Sequence, residues 1–206
     1  MICEKTKEIP KSVKKTFAGL PKDQYIKEEY CFRGRCYSTA EAINGKITYT
    51  EKSPTFQQCS TMNKYLGGIE RQYERLSSIA EEFVKESLIP AALAELPKGN
   101  YDIGIHQIRT TANDDNMGKP APEGVHQDGF DHIMIACCGG ENLAGGNSLL
   151  VENDDYGKIL FERVLEMGDC ILFSDKQYSH YVSPIVPKLP GQCSRDVFVL
   201  TFLKKE

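Results

Sequence analysis

The sequence predicts a mainly β protein with α, a double-stranded β-helix (jelly roll, cupin-like) core behind an N-terminal helical layer. Three observations carry this. Beyond Tyr101, short apolar segments alternate with clusters of Gly, Asn, Asp and Pro at the spacing of a sandwich or barrel. Eight such segments can be counted, the strand number of a jelly roll. Ahead of them lies one long stretch with helical period and an apolar stripe to bury against a sheet.

Residues 1–55 are polar and interrupted by Pro10, Pro21 and Pro54. Within them an edge hairpin is expected, running from Tyr30-Cys31-Phe32-Arg33 to Ile47-Thr48-Tyr49 and turning at Asn44-Gly45, a strong turn dipeptide. From Ile69 to Ala94, the residues Ile69, Tyr73, Leu76, Ile79, Ala80, Phe83 and Val84 recur at three- and four-residue steps, with Glu and Arg opposite. That predicts a helix over 69–94, ended or kinked by Pro90. The strands are expected at 101–110, 123–129, 131–138, 146–152, 159–166, 169–174, 179–186 and 195–203. The 206 residues suit a single domain, 1–100 forming the N-terminal region and 101–206 the catalytic core.

A formal charge of −4 offers no basic surplus for a nucleic-acid backbone, so small molecules are the expected partners and self-association stays open. No apolar run is long enough for a membrane span, and Met1-Ile2-Cys3-Glu4-Lys5 lacks the apolar core of a signal peptide. Eight cysteines are present, but a domain of this size needs no disulfide framework and Cys137-Cys138 are adjacent. Reduced thiols in a cytoplasm are the expectation.

The segment Glu123-Gly124-Val125-His126-Gln127-Asp128-Gly129 sets an imidazole and a carboxylate two residues apart. On a strand, positions i and i+2 share a face, so His126 and Asp128 can reach one metal. His180, fifty-four residues on at the start of the seventh predicted strand, is the candidate third ligand. Two histidines and one carboxylate leave coordination positions open, the pattern of non-haem iron(II) oxygenases, which must admit oxygen and a chelating co-substrate. An isolated H-x-D is more often a His–Asp hydrogen bond in a turn; the strand context favours the metal here. Arg195 opens the eighth predicted strand and alternates with Val197, Val199 and Thr201, so its guanidinium enters an apolar interior and needs an anion. A surface salt bridge at a strand start is the plainer alternative.

The stretches PEGVHQDGFDHIMI, NLAGGNSLLVEN, LEMGDCILFSDKQYSHYVSPI and RDVFVLTF resemble the bacterial 2-oxoglutarate/Fe(II) dioxygenase family that includes the free L-isoleucine 4-hydroxylases. Upstream, IHQIR and FQQCSTMNKYLGGIERQYERL are also similar, so the resemblance covers about residues 54–203. It implies an oxygenase using Fe(II), 2-oxoglutarate and O2 to hydroxylate an aliphatic C–H of a small substrate, a free amino acid or derivative. Carried over by position, it makes His126, Asp128 and His180 the iron ligands and Arg195 the partner of the distal carboxylate of 2-oxoglutarate. Many such enzymes add a Ser two residues after that Arg; here Val197 stands there, and Gln107 and Arg109 are the candidates for a second contact. Glu123 and His106 are candidates for touching substrate. Glu123 can equally be a solvated loop acid, and His106 a satisfied barrel histidine. Two other outcomes fit the residues: the same iron site performing desaturation, epimerisation or cyclisation, and a non-redox cupin-like metal- or sugar-binding module. The Arg195 anion seat argues against the second.

Overall fold

The computed structural model describes residues 2–6, 8–26, 32–50, 55–58, 67–153 and 157–206, with the side chains of 2–5 outside that description. Alternating burial along the strands builds one large antiparallel sheet. Its members are β1 (Ile2–Lys5), β2 (Arg33–Ile43), β3 (Lys46–Tyr49), β6 (Tyr101–Ala112), β7 (His132–Glu141), β11 (Asp169–Ser174) and β14 (Cys193–Lys204), ordered β1-β11-β7-β14-β6-β2-β3. The expected hairpin is β2–β3. Its turn holds Asn44 at φ 50° and Gly45 at φ 80°, positive values that Asn and Gly adopt cheaply. Tyr30 and Cys31 of that expectation lie outside the described residues.

A second layer faces this sheet. It comprises β9 (Asn147–Glu152), β10 (Ile159–Val164) and β12 (Tyr178–Val182), with the two-stranded pair β8 (Leu143–Gly145) and β13 (Ile185–Pro187) beside them. The predicted strand over 179–186 is thus split at Ser183-Pro184, where a proline cannot donate to a ladder. The predicted strand over 123–129 is corrected: it is a loop pinned to β12 by one bridge, His126 N–H to the His180 carbonyl at 3.0 Å and the reverse at 2.8 Å. Gly124 at φ 84° and Gly129 at φ 88° turn that chain out of any extended run.

The helical layer also departs from expectation. Residues 71–72 form β5 (Arg71–Gln72), paired with β4 (Thr55–Phe56), and the helix begins only at α2 (Ser78–Phe83). The Ser77 hydroxyl accepts the Ala80 N–H at 3.3 Å, an N-cap that fixes the start. Pro90 does not end the helix. A π-helical turn over Val84–Leu88 precedes it and α3 (Ile89–Glu95) carries on, with Pro90 at its first turn, where a missing N–H costs little. Together with α1 (Lys11–Ala18), these helices bury Phe17, Val84, Leu88 and Ile89 against one face of the large sheet. Phe198 meets Phe17 edge-to-face at 5.2 Å there. Each such buried side chain contributes about 1.5–3 kcal/mol.

Period-two alternation splits each strand between two cores. Ile103, Ile105, Met134, Leu172, Phe198 and Phe202 face the helices. Ile133, Ile135, Ile171, Phe173 and Val197 face the second layer, and the cavity lies on that side. The adjacent Cys137 and Cys138 fall into different cores, and the five described free cysteines are all buried. Among the described residues, no helix is long and apolar enough to cross a membrane.

Candidate metal centre and anion-binding cavity

The loop–β12 bridge brings His126 and Asp128 to His180 across the mouth between the layers. His126 Nε2 lies 3.5 Å from Asp128 Oδ1, and His180 Nε2 lies 3.7 Å from Asp128 Oδ2. One ligand atom from each residue falls within 4.8 Å of the others. His126 Nδ1 sits 2.9 Å from the Gly124 carbonyl, which accepts only if that nitrogen carries the proton. In the neutral ring the lone pair is then on Nε2, the nitrogen turned to the other two groups. This is the usual arrangement behind a metal-bound histidine.

The electrostatics suit a cation. Burial disfavours a charged His126, yet the hydrogen bond and charge of Asp128, helped by Glu123, push the imidazole up to about 9. His180, fully enclosed and facing the charge of His126, is driven down to about 3. Burial would raise the Asp128 carboxyl, but both histidines outweigh it and hold the group below its ordinary range. Two imidazoles and a carboxylate contending for one proton fit a divalent ion, which can replace that proton and satisfy all three groups.

Asp175, in the turn between β11 and β12, holds the loop in shape. Its Oδ2 accepts the N–H groups of Asp128, Gly129 and Phe130 at 3.1, 2.6 and 3.0 Å. On the far side, Gln58 Nε2 donates to Asp128 Oδ1 at 2.6 Å, and Arg71 Nη2 donates to Gln58 Oε1 at 2.8 Å. Neither Asp175 nor Gln58 carries a motif signal. Arg71 was hidden inside the expected helix.

A cavity opens beside these groups, walled by Ile108, Ile135, Val182, Val197 and Val199. Arg195 enters it from β14, only 4% exposed; among the described residues its one hydrogen bond runs to Ser148 Oγ on β9, at the 3.5 Å limit. Glu123 also lines the cavity, its Oε1 3.2 Å from His126 Nε2. His106 lines it from β6, buried and stacked on Tyr37 at 4.3 Å. Gln107 and Arg109 do not reach it. They alternate with His106 and Ile108 and emerge on the helix-covered face, where Gln107 Nε2 donates to Thr16 Oγ1 at 2.6 Å. Arg109 makes a two-pronged pair with Asp196 at 2.7 Å on both arms. The second contact expected from them is corrected by strand parity alone.

Three further arginines belong to this region: Arg33 and Arg35 on β2, and Arg71 on β5. Arg33-x-Arg35 in a predicted strand was a legible signal for two cations on one face.

A family model described as 2OG-Fe dioxygenase matches residues 14–201. The 3(1)-hydroxy-L-isoleucine 4-dioxygenase of Pantoea ananatis is 24% identical over 173 residues, 79% of this chain and 68% of that protein. The L-isoleucine-4-hydroxylase of Bacillus thuringiensis is 26% identical over 104 residues, 50% of this chain; the match spans 43% of that protein's length. Among solved structures, a bsmA homologue from Methylobium petroleophilum superposes with a TM-score of 0.80 at 23% identity, over 94% of this chain and 80% of the other, so the fold is shared. With most of its length matched and a metal-competent His-Asp-His cluster beside an anion seat, the chain belongs to the 2OG-Fe dioxygenase family, an oxygenase that uses iron(II), 2-oxoglutarate and O2.

Proposed function

We propose that this oxygenase hydroxylates an aliphatic C–H of a small substrate, a free amino acid or derivative. In this reading His126, Asp128 and His180 hold the iron and Arg195 grips the distal carboxylate of 2-oxoglutarate. The observation that carries the reading is one cavity containing both the three converging ligand atoms and a buried guanidinium with no carboxylate of its own hydrogen-bonded to it. The relatives named for isoleucine chemistry support the amino-acid class.

Iron(II), 2-oxoglutarate and O2 together supply the oxidising power, 2-oxoglutarate leaving as succinate and carbon dioxide while one oxygen atom enters the substrate. The chain's own residues do the rest. The Gly124 carbonyl fixes the tautomer of His126, and Gln58 orients Asp128. Arg195 offers a planar fork to a planar carboxylate. Ile135, Val182, Val197 and Val199 keep water from the reacting carbon.

The test is anaerobic reconstitution with Fe(II) and 2-oxoglutarate, followed by oxygen and a screen of free amino acids. The expected result is succinate release coupled to a product one oxygen atom heavier. A product lacking two hydrogens would instead assign desaturation or ring closure, and no coupled succinate with any amino acid would remove the substrate class.

A further inference from the structure

The cavity carries cationic groups at two places, and only one is spoken for by 2-oxoglutarate. Strand register sets their relation. Arg195 pairs with Thr110, and Thr110 pairs with Arg33, so one row crosses β14, β6 and β2. With neighbouring strands about 4.8 Å apart, the β2 end lies roughly 10 Å across the sheet from the Arg195 backbone. Arg35 is two residues along β2 on the same face, in the row of Ile108 and Val197.

The charges at the β2 end do not cancel. Arg33 is matched by Asp23, with Nε and Nη2 both 2.9 Å from Oδ2. Arg35 reaches the same carboxylate oxygen only at 3.9 Å, and among the described residues no ion pair involves Arg71. Arg35 is 7% and Arg71 1% exposed, and the Nε of each is buried without a hydrogen-bond partner. The two guanidiniums lie 5.2 and 4.7 Å from the centre of the same ring, that of Phe56.

His106 adds a third spare donor. Arg35 Nη2 can only donate, so His106 Nδ1, 2.9 Å away, accepts, and the proton sits on Nε2. That Nε2–H is buried and unpartnered too, and the ring stands edge-on to Phe56 at 4.5 Å. Three buried N–H groups without a hydrogen-bond partner, two of them on cations, thus belong to residues that line this end of the cavity. Buried charge without a close partner is costly, and an anion held in the cavity would offset it.

Resting on the oxygenase reading above, we propose that Arg35, Arg71 and His106 seat the substrate's carboxylate, so the enzyme takes small free carboxylic acids and rejects their amides, esters and carrier-bound forms. The seat is wired to the metal centre: Arg71 holds Gln58, and Gln58 donates to Asp128. Seating the carboxylate there fixes the rest of the molecule toward the triad.

The experiment uses the anaerobic Fe(II)-loaded protein. First, 2-oxoglutarate is titrated, following its metal-to-ligand absorption band. Free L-amino acids and simple aliphatic carboxylic acids are then added, each beside its amide, and binding is read from the band shift and by equilibrium dialysis. At least one free acid is expected to bind wild type, with its amide weaker by about 30-fold or more. Arg35→Gln should weaken the acid to the level of its amide and leave the 2-oxoglutarate titration unchanged. Arg35→Lys keeps the charge but loses the fork, and should give a smaller loss. The wild-type comparison of acid with amide stands even if a variant fails to fold. Equal binding of acid and amide, or 2-oxoglutarate binding with no free acid bound, overturns the proposal. So does an Arg35→Gln defect in the 2-oxoglutarate titration, which would seat the co-substrate there. Absence of the band in wild type would instead sink the oxygenase site itself.

Discussion

The two faces of the large sheet treat their polar side chains in opposite ways. On the helix-covered face Gln107 closes on Thr16, Arg109 on Asp196, and Ser38 on Glu81 at 2.7 Å. On the cavity face of the same strands, Arg35 and His106 keep buried donors unmatched. Arg109 and Arg195 make the contrast sharp, because Arg109 pairs across the sheet with Asp196, the residue next to Arg195. The first has a carboxylate on both prongs; the second has a hydroxyl at the edge of hydrogen-bond range. Burial lowers the pKa of Arg195, and the charge of Asp196 offsets this only in part, whereas the hydrogen bonds of Asp196 raise that of Arg109. Arg195 is thus a buried guanidinium with no carboxylate of its own hydrogen-bonded to it, which supports the proposal that it receives a ligand's anion.

The largest effect should come from the three proposed metal ligands. His126→Ala or Asp128→Ala is expected to abolish Fe(II) binding and turnover together while the fold persists. Removing a ligand should exceed the roughly 10–100-fold typical of a change one shell out. Iron content by colorimetric assay beside a far-UV spectrum checks this, and full iron occupancy in either variant would remove the triad.

Next comes the arginine contrast itself. Arg195→Ala should weaken 2-oxoglutarate by about 30- to 5000-fold, or roughly 2–5 kcal/mol, since the ligand's carboxylate loses its only fork there. Arg195→Lys should fall between. Arg109→Ala should leave the titration unchanged and lower only the melting temperature, because its partner belongs to the protein. Equal 2-oxoglutarate defects at 109 and 195 would erase the distinction between the faces.

How much of this could be read from residues alone follows the same line. Short apolar segments between Gly, Asn, Asp and Pro clusters beyond Tyr101 gave most of the strands, and the candidate ligands His126, Asp128 and His180 stood out by residue type. Parity also held the answer for Gln107 and Arg109, which cannot share a face with His106. The misses are residues whose placement is set by long-range contact. Arg71 sits in a segment with helical spacing, yet pairing with Thr55–Phe56 makes it extended and turns its guanidinium to the cavity. Of the stripe with helical period, Leu76, Ala80 and Phe83 are buried but Ile69 and Ile79 are exposed, and the period does not report the cap at Ser77 that decides where the helix begins. The proposed metal ligands His126 and Asp128 ride on a loop, not the predicted strand, and a single bridge ties that loop to His180.

That loop supplies a smaller effect. Asp175→Ala leaves the N–H groups of Asp128, Gly129 and Phe130 without their shared acceptor. Metal affinity should drop by about 10- to 100-fold, the range for a residue that orients a ligand. Arg195 is untouched, so 2-oxoglutarate affinity at saturating metal should stay near wild type. A metal titration at fixed 2-oxoglutarate checks both statements, and unchanged metal affinity would show that the loop holds its shape without Asp175.

The smallest effect tests what completes the Arg195 seat. Val197 stands two residues beyond Arg195 on β14, so no hydroxyl comes from there. Ser148 is buried at 1% on β9, across the cavity, and its Oγ is 3.5 Å from Arg195 Nη2. At that distance the hydroxyl steadies the guanidinium weakly, and a net hydrogen bond of about 0.5–1.5 kcal/mol is the ceiling. Ser148→Ala should therefore cost about 2- to 10-fold in 2-oxoglutarate affinity. Combined with Arg195→Ala it should add nothing, because the hydroxyl acts through the arginine. If the double variant is weaker than Arg195→Ala by the full single-variant factor, Ser148 touches the carboxylate directly and supplies from the opposite layer the contact that Val197 cannot.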